Sequence, residues 1–152
     1  MTRGAISRRV VADRLGIARE LLGDIRALPL SDQDEFFADR RNLWTAESCL
    51  RRTLEAMLDV GRHILAKGFA VGVSEYKEIA TGLEQHGVLS PVDASLLRTL
   101  AGYRNRMVHF YHEVSGEELF AICGEQLGEV EQVCHALAEW IRENPARVDP
   151  VL

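Results

Sequence analysis

The sequence predicts an all-α protein, an up-and-down bundle of four to five helices. Three observations predict this class. Apolar residues recur at helical spacings of three and four along most of the 152 residues. No segment shows the alternation of polar and apolar residues that is typical of a half-buried strand. The four prolines, at positions 29, 91, 145 and 150, stand where helices are expected to begin or end.

The first two predicted helices occupy residues 6–28 and 31–67. Pro29 ends the first helix, and its apolar stripe consists of Val10, Ile17, Leu21 and Ile25. Ser31, with Asp34 three residues later, approximates a capping box at the start of the second. Gly68 is the expected C-terminal stop of this long helix.

Three more helices complete the bundle. The third covers residues 74–87, and the fourth starts with Ser90 as cap and Pro91 at the first helical position. The last begins at Ser115, where Ser-Gly-Glu-Glu matches a capping box, and ends before Pro145. We therefore expect residues 1–144 to form a single domain and residues 145–152 to be a loose tail.

Composition limits the class of protein. Hydrophobic residues make up 47% of the chain and charged residues 27%, as in globular proteins. No apolar run approaches the length of a membrane span, and no signal peptide is recognisable, so we expect a cytoplasmic protein. Cys49, Cys123 and Cys134 lack the spacing of a metal site and are interpreted as core residues.

The net charge of −5 argues against a protein that coats nucleic acid. Its distribution is more informative, because residues 94–112 contain no acidic residue. This stretch holds five basic side chains: Arg98, Arg104, Arg106, His109 and His112. A local basic segment on an acidic protein suits an enzyme that contacts a few phosphates.

Arg104 and His109 carry the candidate chemistry of that segment. A guanidinium presents a planar fork that matches phosphate, and histidine exchanges a proton near neutral pH. Together they suffice to cleave RNA without a metal or cofactor. On one straight helix the two positions would be about 140° apart. Either the helix ends near Val108 and the chain bends, or the pair forms across a dimer.

The segment resembles the R-x4-H-x-Y signature of HepT toxins in the HEPN superfamily, with Arg104, His109 and Tyr111 at the signature positions. Asn105 matches the polar residue that usually follows the arginine. The resemblance extends over roughly residues 10–142. It includes the Asp-Val-Gly-Arg-His-Ile run at 59–64, the turn at 87–89 and the final amphipathic helix.

The resemblance implies a homodimeric, metal-independent endoribonuclease that acts on RNA. Arg104 and His109 would be the catalytic pair, Asn105 would assist, and Arg106 is a candidate RNA-binding residue that is alternatively only solvated. Tyr111 matches the tyrosine that an MntA-type nucleotidyltransferase antitoxin adenylylates, which would block the site by size and charge. The alternative is a non-catalytic helical partner or substrate-binding subunit of a nucleotidyltransferase.

Other residues permit more than one interpretation. Asp59 and His63 share a helix face, where a hydrogen-bonding role is favoured over a metal pair. Glu47 either faces a dimer cleft or pairs with an arginine. Trp44 and the Phe36-Phe37 pair are interpreted as core or dimer surface. His112 is interpreted as exposed and incidental.

Overall fold

The computed structural model describes residues 5–109 and 114–150, and in this part of the chain it is all-α. The helices are α1 (Arg8–Arg26), α2 (Gln33–Ala38), α3 (Arg40–Phe69), α4 (Tyr76–Gln85), α5 (Pro91–His109), α6 (Gly116–Glu125) and α7 (Leu127–Glu143), followed by a 3-10 turn at Pro145–Arg147. The predicted fold class is confirmed. The described residues form seven α-helices rather than four or five because two predicted helices are each divided.

Helix α3 is the centre of the fold. It is 30 residues long and contacts each of the other six α-helices. Its buried residues include Leu50, Leu54, Met57 and Ile64, all fully inaccessible to solvent. They recur at spacings of four, three and seven, which places them on one face of the helix. Because α3 packs against both α4 and α5, its side chains can contact residues of those two helices.

The apolar stripe of α1 differs in part from the prediction. Leu21 and Ile25 are buried, but Val10 and Ile17 are each 37% exposed. The face that packs on α3 instead uses Val11, Leu15, Ala18 and Leu22. The predicted stripe therefore follows the wrong positions in the first half of the helix.

The predicted second helix is interrupted at Asp39. This residue is extended (φ −123°, ψ 113°), and its carboxylate accepts a hydrogen bond from the Arg41 N–H at 3.0 Å, which caps α3. The predicted Ser31–Asp34 capping box is wrong. Asp32 is the cap of α2 and accepts from the Glu35 N–H at 3.2 Å.

The end of α3 also differs from the prediction. Gly68 lies inside the helix, and the left-handed residue that ends the helix is Ala70 (φ 56°). A Cβ at position 68 would lie 2.7 Å from the Ile6 Cδ1 atom. The glycine therefore permits close approach of Ile6 and does not stop the helix.

The predicted start signals of α5 and α6 are confirmed. The Ser90 hydroxyl accepts from the Asp93 N–H, and the Ser115 hydroxyl accepts from the Glu118 N–H, both at 3.1 Å. The last predicted helix is divided at Gln126 into α6 and α7. The buried residues of the two pieces include Cys123, Leu127, Val130, Leu137 and Ile141.

The segment after residue 144 is packed against the domain, contrary to the predicted loose tail. Val148 is buried and forms an isolated parallel bridge with Ile6. The Ile6 N–H donates to the Arg147 carbonyl at 3.2 Å, and the Asp149 N–H donates to the Ile6 carbonyl at 2.9 Å. The apolar side chain of Val148 explains the docking, since it is buried as part of the hydrophobic core.

The cysteines lie in the hydrophobic interior as predicted, Cys134 less completely than the other two. Burial raises the pKa of the Cys123 thiol to about 12 and that of Cys134 to about 11. These thiols are therefore protonated packing groups at neutral pH. None of the helices described is long and apolar enough to cross a membrane.

Candidate functional site

Arg104 lies on the second half of α5 and is held by α3. Its Nε and Nη2 atoms donate to one carboxylate oxygen of Glu55, at 3.0 and 2.8 Å. The side chains of Arg104 and Glu55 are 17% and 24% exposed, so the ion pair is largely shielded from water. One edge of the guanidinium is thereby fixed, whereas Nη1 has only a weak contact, at 3.5 Å, with the Asn105 side chain.

Tyr76, the first residue of α4, is the second support for Arg104. The guanidinium carbons of Arg104 and Arg62 lie 4.5 and 4.9 Å from the centroid of its ring. The Tyr76 hydroxyl donates to Asp59 at 3.4 Å. Burial, together with the nearby Asp59 charge, raises the pKa of Tyr76, so the hydroxyl keeps its proton.

A pocket of about 430 Å³ opens between α3, the start of α4 and α5. Its lining consists of Arg62, Ser74, Glu75, Tyr76, Lys77, Arg104 and Asn105. Three of these residues are basic and one is acidic, although the chain as a whole is acidic. Arg104 and Asn105 line the same pocket, and their shared catalytic role stays a prediction.

Arg106 points away from this pocket toward α6. It forms two hydrogen bonds with the Glu118 carboxylate, at 2.9 and 2.7 Å. The Arg106 hydrogen bonds lower the pKa of Glu118. The Glu118 side chain is therefore paired with α5, and the simple solvated interpretation of Arg106 is wrong. Its RNA-binding role stays a prediction.

His109 is the last residue of α5, so the helix continues through both positions of the proposed catalytic pair. The last described residue of α5 is thus within one residue of the predicted end near Val108, and no bend separates positions 104 and 109. Positions 104 and 109 are about 140° apart around one helix axis. Tyr111 and His112 lie outside the described residues.

The residues with open interpretations have partners. Asp59 contacts Tyr76 and, at 3.6 Å, Arg62. The Nε2 atom of His63 accepts a hydrogen bond from the Ser7 N–H at 2.9 Å. The hydrogen-bonding interpretation of both residues is confirmed. In the part of the chain that is described, no three His, Cys, Asp or Glu side chains form a group that could hold a metal ion.

Two further predictions concern residues of α2 and α3. Glu47 pairs with Arg51 at 3.5 Å, the second of its two interpretations. Phe36 is a core residue and contacts Phe37 and Phe120. Trp44 is 59% exposed, so it is not a core residue.

Sequence reasoning missed the residues that surround Arg104. Glu55 is 49 positions away in the chain, and Tyr76 and Lys77 belong to a different helix. One signal was present: Glu55, Asp59 and Arg62 are spaced by four and three, which places them on one face of a helix. A charged face on a helix with many buried residues indicates polar partners on the helices packed against it.

Solved structures show which fold this is. The tri-AMPylated HEPN toxin of Shewanella oneidensis, in complex with the MNT antitoxin, superposes with a TM-score of 0.76 at 19% identity, covering 86% of this chain and 97% of that one. A mutant of the toxin–antitoxin MntA-HpeT also gives 0.76 at 19% identity, covering 87% and 99%. The cytosolic protein YutE of Bacillus subtilis gives 0.77 at 16% identity and covers 98% of both. The chain therefore has the HEPN fold.

The family follows from the sequence match. The model of the family described as ribonuclease HepT-like matches residues 18–137. The chain belongs to the HepT-like family, as its motif indicated. None of the curated proteins matches the chain.

Proposed function

We propose that this protein is the toxin of a toxin–antitoxin pair and acts as a metal-independent endoribonuclease on cellular RNA. The observation that carries the proposal is the position of Arg104, shielded and oriented at the mouth of a pocket with an excess of basic side chains. Membership of the HepT-like ribonuclease family supports it. So does the fold of the HEPN toxin that is complexed with the MNT antitoxin.

In the proposed reaction, Arg104 binds the scissile phosphate through the guanidinium edge that Glu55 leaves open. A base removes the proton of the ribose 2′-hydroxyl, and the oxygen attacks the adjacent phosphorus. The bond from phosphorus to the 5′-oxygen breaks, and the leaving oxygen takes a proton. His109 is the general base or acid, and Asn105 assists Arg104. The products are a 2′,3′-cyclic phosphate and a 5′-hydroxyl.

The working unit in this proposal is a homodimer. Positions 104 and 109 are on one continuous helix and about 140° apart, which does not favour two side chains of one helix on one phosphate. A two-fold axis beside α5 would bring Arg104 of one protomer near His109 of the other.

Tyr111 is the proposed point of control by the partner. A cognate nucleotidyltransferase of the MntA type would transfer AMP from ATP to the Tyr111 oxygen and release pyrophosphate. The added phosphodiester, two residues from His109, would repel the RNA backbone and obstruct access. The pair would act in the cytoplasm.

The test is cleavage of labelled total RNA in EDTA by the wild type and by His109→Ala. We expect cleavage by the wild type and loss of it in the variant. His135→Ala is the matched control, since His135 lies on α7 with its side chain 77% exposed. Equal cleavage by His109→Ala would refute the proposed site.

If wild-type protein, shown by mass to carry no AMP on Tyr111, cut no RNA, the alternative function would stand instead. The chain would then be a non-catalytic partner or substrate-binding subunit of a nucleotidyltransferase. Stable binding to the nucleotidyltransferase, without cleavage, would support that function.

A further inference from the structure

The pocket beside Arg104 has the size and charge of a site for an anionic group. Its volume of about 430 Å³ falls in the range of small-ligand sites. Arg62 and Lys77 line it in addition to Arg104, and Glu75 is the only acidic residue in its described lining. Neither Arg62 nor Lys77 belongs to the signature segment at residues 104–111.

Arg62 keeps hydrogen-bonding capacity in this arrangement. Its one carboxylate contact among the described residues is Asp59, whose oxygen lies 3.6 Å from Nη1 and is beyond hydrogen-bond distance. The Nε atom is buried without a partner there, so the donors available to a ligand are those of the Nη atoms. A guanidinium has five N–H donors. The Tyr76 ring, 4.9 Å away, holds the group in place without using any of them.

Lys77 contributes a charge that no carboxylate neutralises among the described residues. It follows Tyr76 directly at the start of α4 and is exposed. An unpaired ammonium beside two guanidinium groups raises the local positive potential. Arg62 and Arg104 lie against the same Tyr76 ring and both line this pocket, so both contribute positive charge to it.

We propose that this pocket is a backbone subsite for single-stranded RNA, in which Arg62 and Lys77 bind the phosphate next to the one that Arg104 holds. The inference rests on the proposed function, since it assigns the scissile phosphate to Arg104. It adds two phosphate-binding residues from α3 and α4. The subsite fixes the path of the RNA strand, which runs from Arg104 on α5 toward the start of α4.

Binding of a 2′-O-methyl RNA oligonucleotide tests the subsite separately from cleavage, because this RNA lacks the nucleophilic hydroxyl. The affinity of wild type, Lys77→Gln and Arg62→Gln is measured by fluorescence anisotropy at several salt concentrations. We expect Lys77→Gln to weaken binding about three- to fivefold, as for loss of one exposed ion pair. The slope of log K against log salt should fall by about 0.7.

Lys67→Gln is the matched control, because Lys67 and Lys77 are the only two lysines of the chain and both are exposed. It should leave affinity and slope unchanged. Because Lys77 is exposed, Lys77→Gln is expected to fold and tests the subsite even where Arg62→Gln does not fold. The subsite would be overturned if Lys77→Gln bound the RNA with the same affinity and salt slope as the wild type. Absence of RNA binding by the wild type would also overturn it.

Binding of AMP, measured in parallel, separates two sources of phosphate. If Lys77→Gln lost affinity for AMP but not for the RNA, the pocket would be a site for a free nucleotide. That result would overturn the assignment to RNA. If the wild type cut no RNA but its RNA binding depended on Lys77, the subsite would be supported and the proposed ribonuclease activity refuted. The two proposals therefore fail separately.

Discussion

The guanidinium of Arg104 has two donor edges, and Glu55 occupies one of them. The Nε–Nη2 edge meets a single carboxylate oxygen, and Nη1 lies free of any carboxylate among the described residues. A charge-assisted pair of this kind fixes direction as well as distance. Glu55 is therefore interpreted as a positioning residue, which aims the open edge of Arg104 at the pocket.

Glu55→Gln should lower kcat for RNA cleavage about 10- to 100-fold, with a smaller change in KM, because misplacement of a catalytic group acts mainly on the transition state. Glu55→Asp should recover part of the loss. Glu84→Gln is the control, since it removes another carboxylate that pairs with an arginine of α5, Arg98, at 3.4 Å. An unchanged kcat in folded Glu55→Gln would contradict the positioning role.

A further residue-scale link joins α1 to α3 and depends on pH. His63 accepts the Ser7 N–H through Nε2, so protonation would remove the acceptor. Burial, with a smaller contribution from Lys67, lowers the pKa of His63 below its usual 6.5. The Ser7–His63 hydrogen bond contributes its full stabilisation above pH 6.5. This stabilisation is lost as the pH falls through the pKa that His63 has in the folded protein.

We therefore expect wild-type protein to lose more unfolding free energy than His63→Gln when the pH is lowered from 7.5 to 5.5. Urea denaturation at both pH values measures this difference. His135→Gln, which changes an exposed histidine on α7, is the control. An identical pH dependence in wild type and His63→Gln would show that His63 does not carry the effect.

At the scale of elements, glycines mark where helices touch. A Cβ on Gly61 of α3 would lie 2.7 Å from Ile79 Cγ2 and 2.9 Å from Leu83 Cδ1, both on α4. Gly16 of α1 has no such neighbour within 4 Å. The same substitution should therefore have opposite effects at the two positions.

Gly61→Ala should destabilise the protein by about 1–2 kcal/mol, because overpacking at the α3–α4 contact exceeds the gain in helix propensity. Gly16→Ala should stabilise it by up to about 1 kcal/mol. Chemical denaturation of both variants tests the pair. Stabilisation by Gly61→Ala would show that α4 moves away from α3 without cost.

Much of the helical order was predictable because its signals are local. Ser90 with Pro91, and Ser115, cap their helices as expected, since a cap depends on residues within one turn. The break at Asp39 was missed because periodicity continues across it. Docking of Val148 on Ile6 was also missed, because 142 positions separate them.

The candidate site was predictable only in part for the same reason. Arg104 and Asn105 belong to a short signature, so the sequence locates them together. The contacts of Arg104 with Glu55 and Tyr76 depend on how three helices pack. A helical wheel places Glu55 on a face of α3 but gives no information about what covers that face.

At the scale of the whole molecule, the course of α5 bears on assembly. The helix runs without interruption from Pro91 to His109, so the proposed catalytic positions cannot converge through a bend between them. The two positions are about 140° apart around the helix axis. Side chains at both positions can act on one phosphate if each of two protomers contributes one of them. This arrangement predicts that two inactive variants complement each other.

A heterodimer of Arg104→Ala with His109→Ala would contain one site with both mutations and one with neither. Purified through two different tags, it should show about half the cleavage activity of the wild-type dimer, because one of two symmetric sites is intact. A heterodimer of Arg104→Ala with the double variant Arg104→Ala/His109→Ala is the control and should be inactive. If the first heterodimer were equally inactive, each working pair would come from one protomer, and α5 would have to change course near its end when RNA binds.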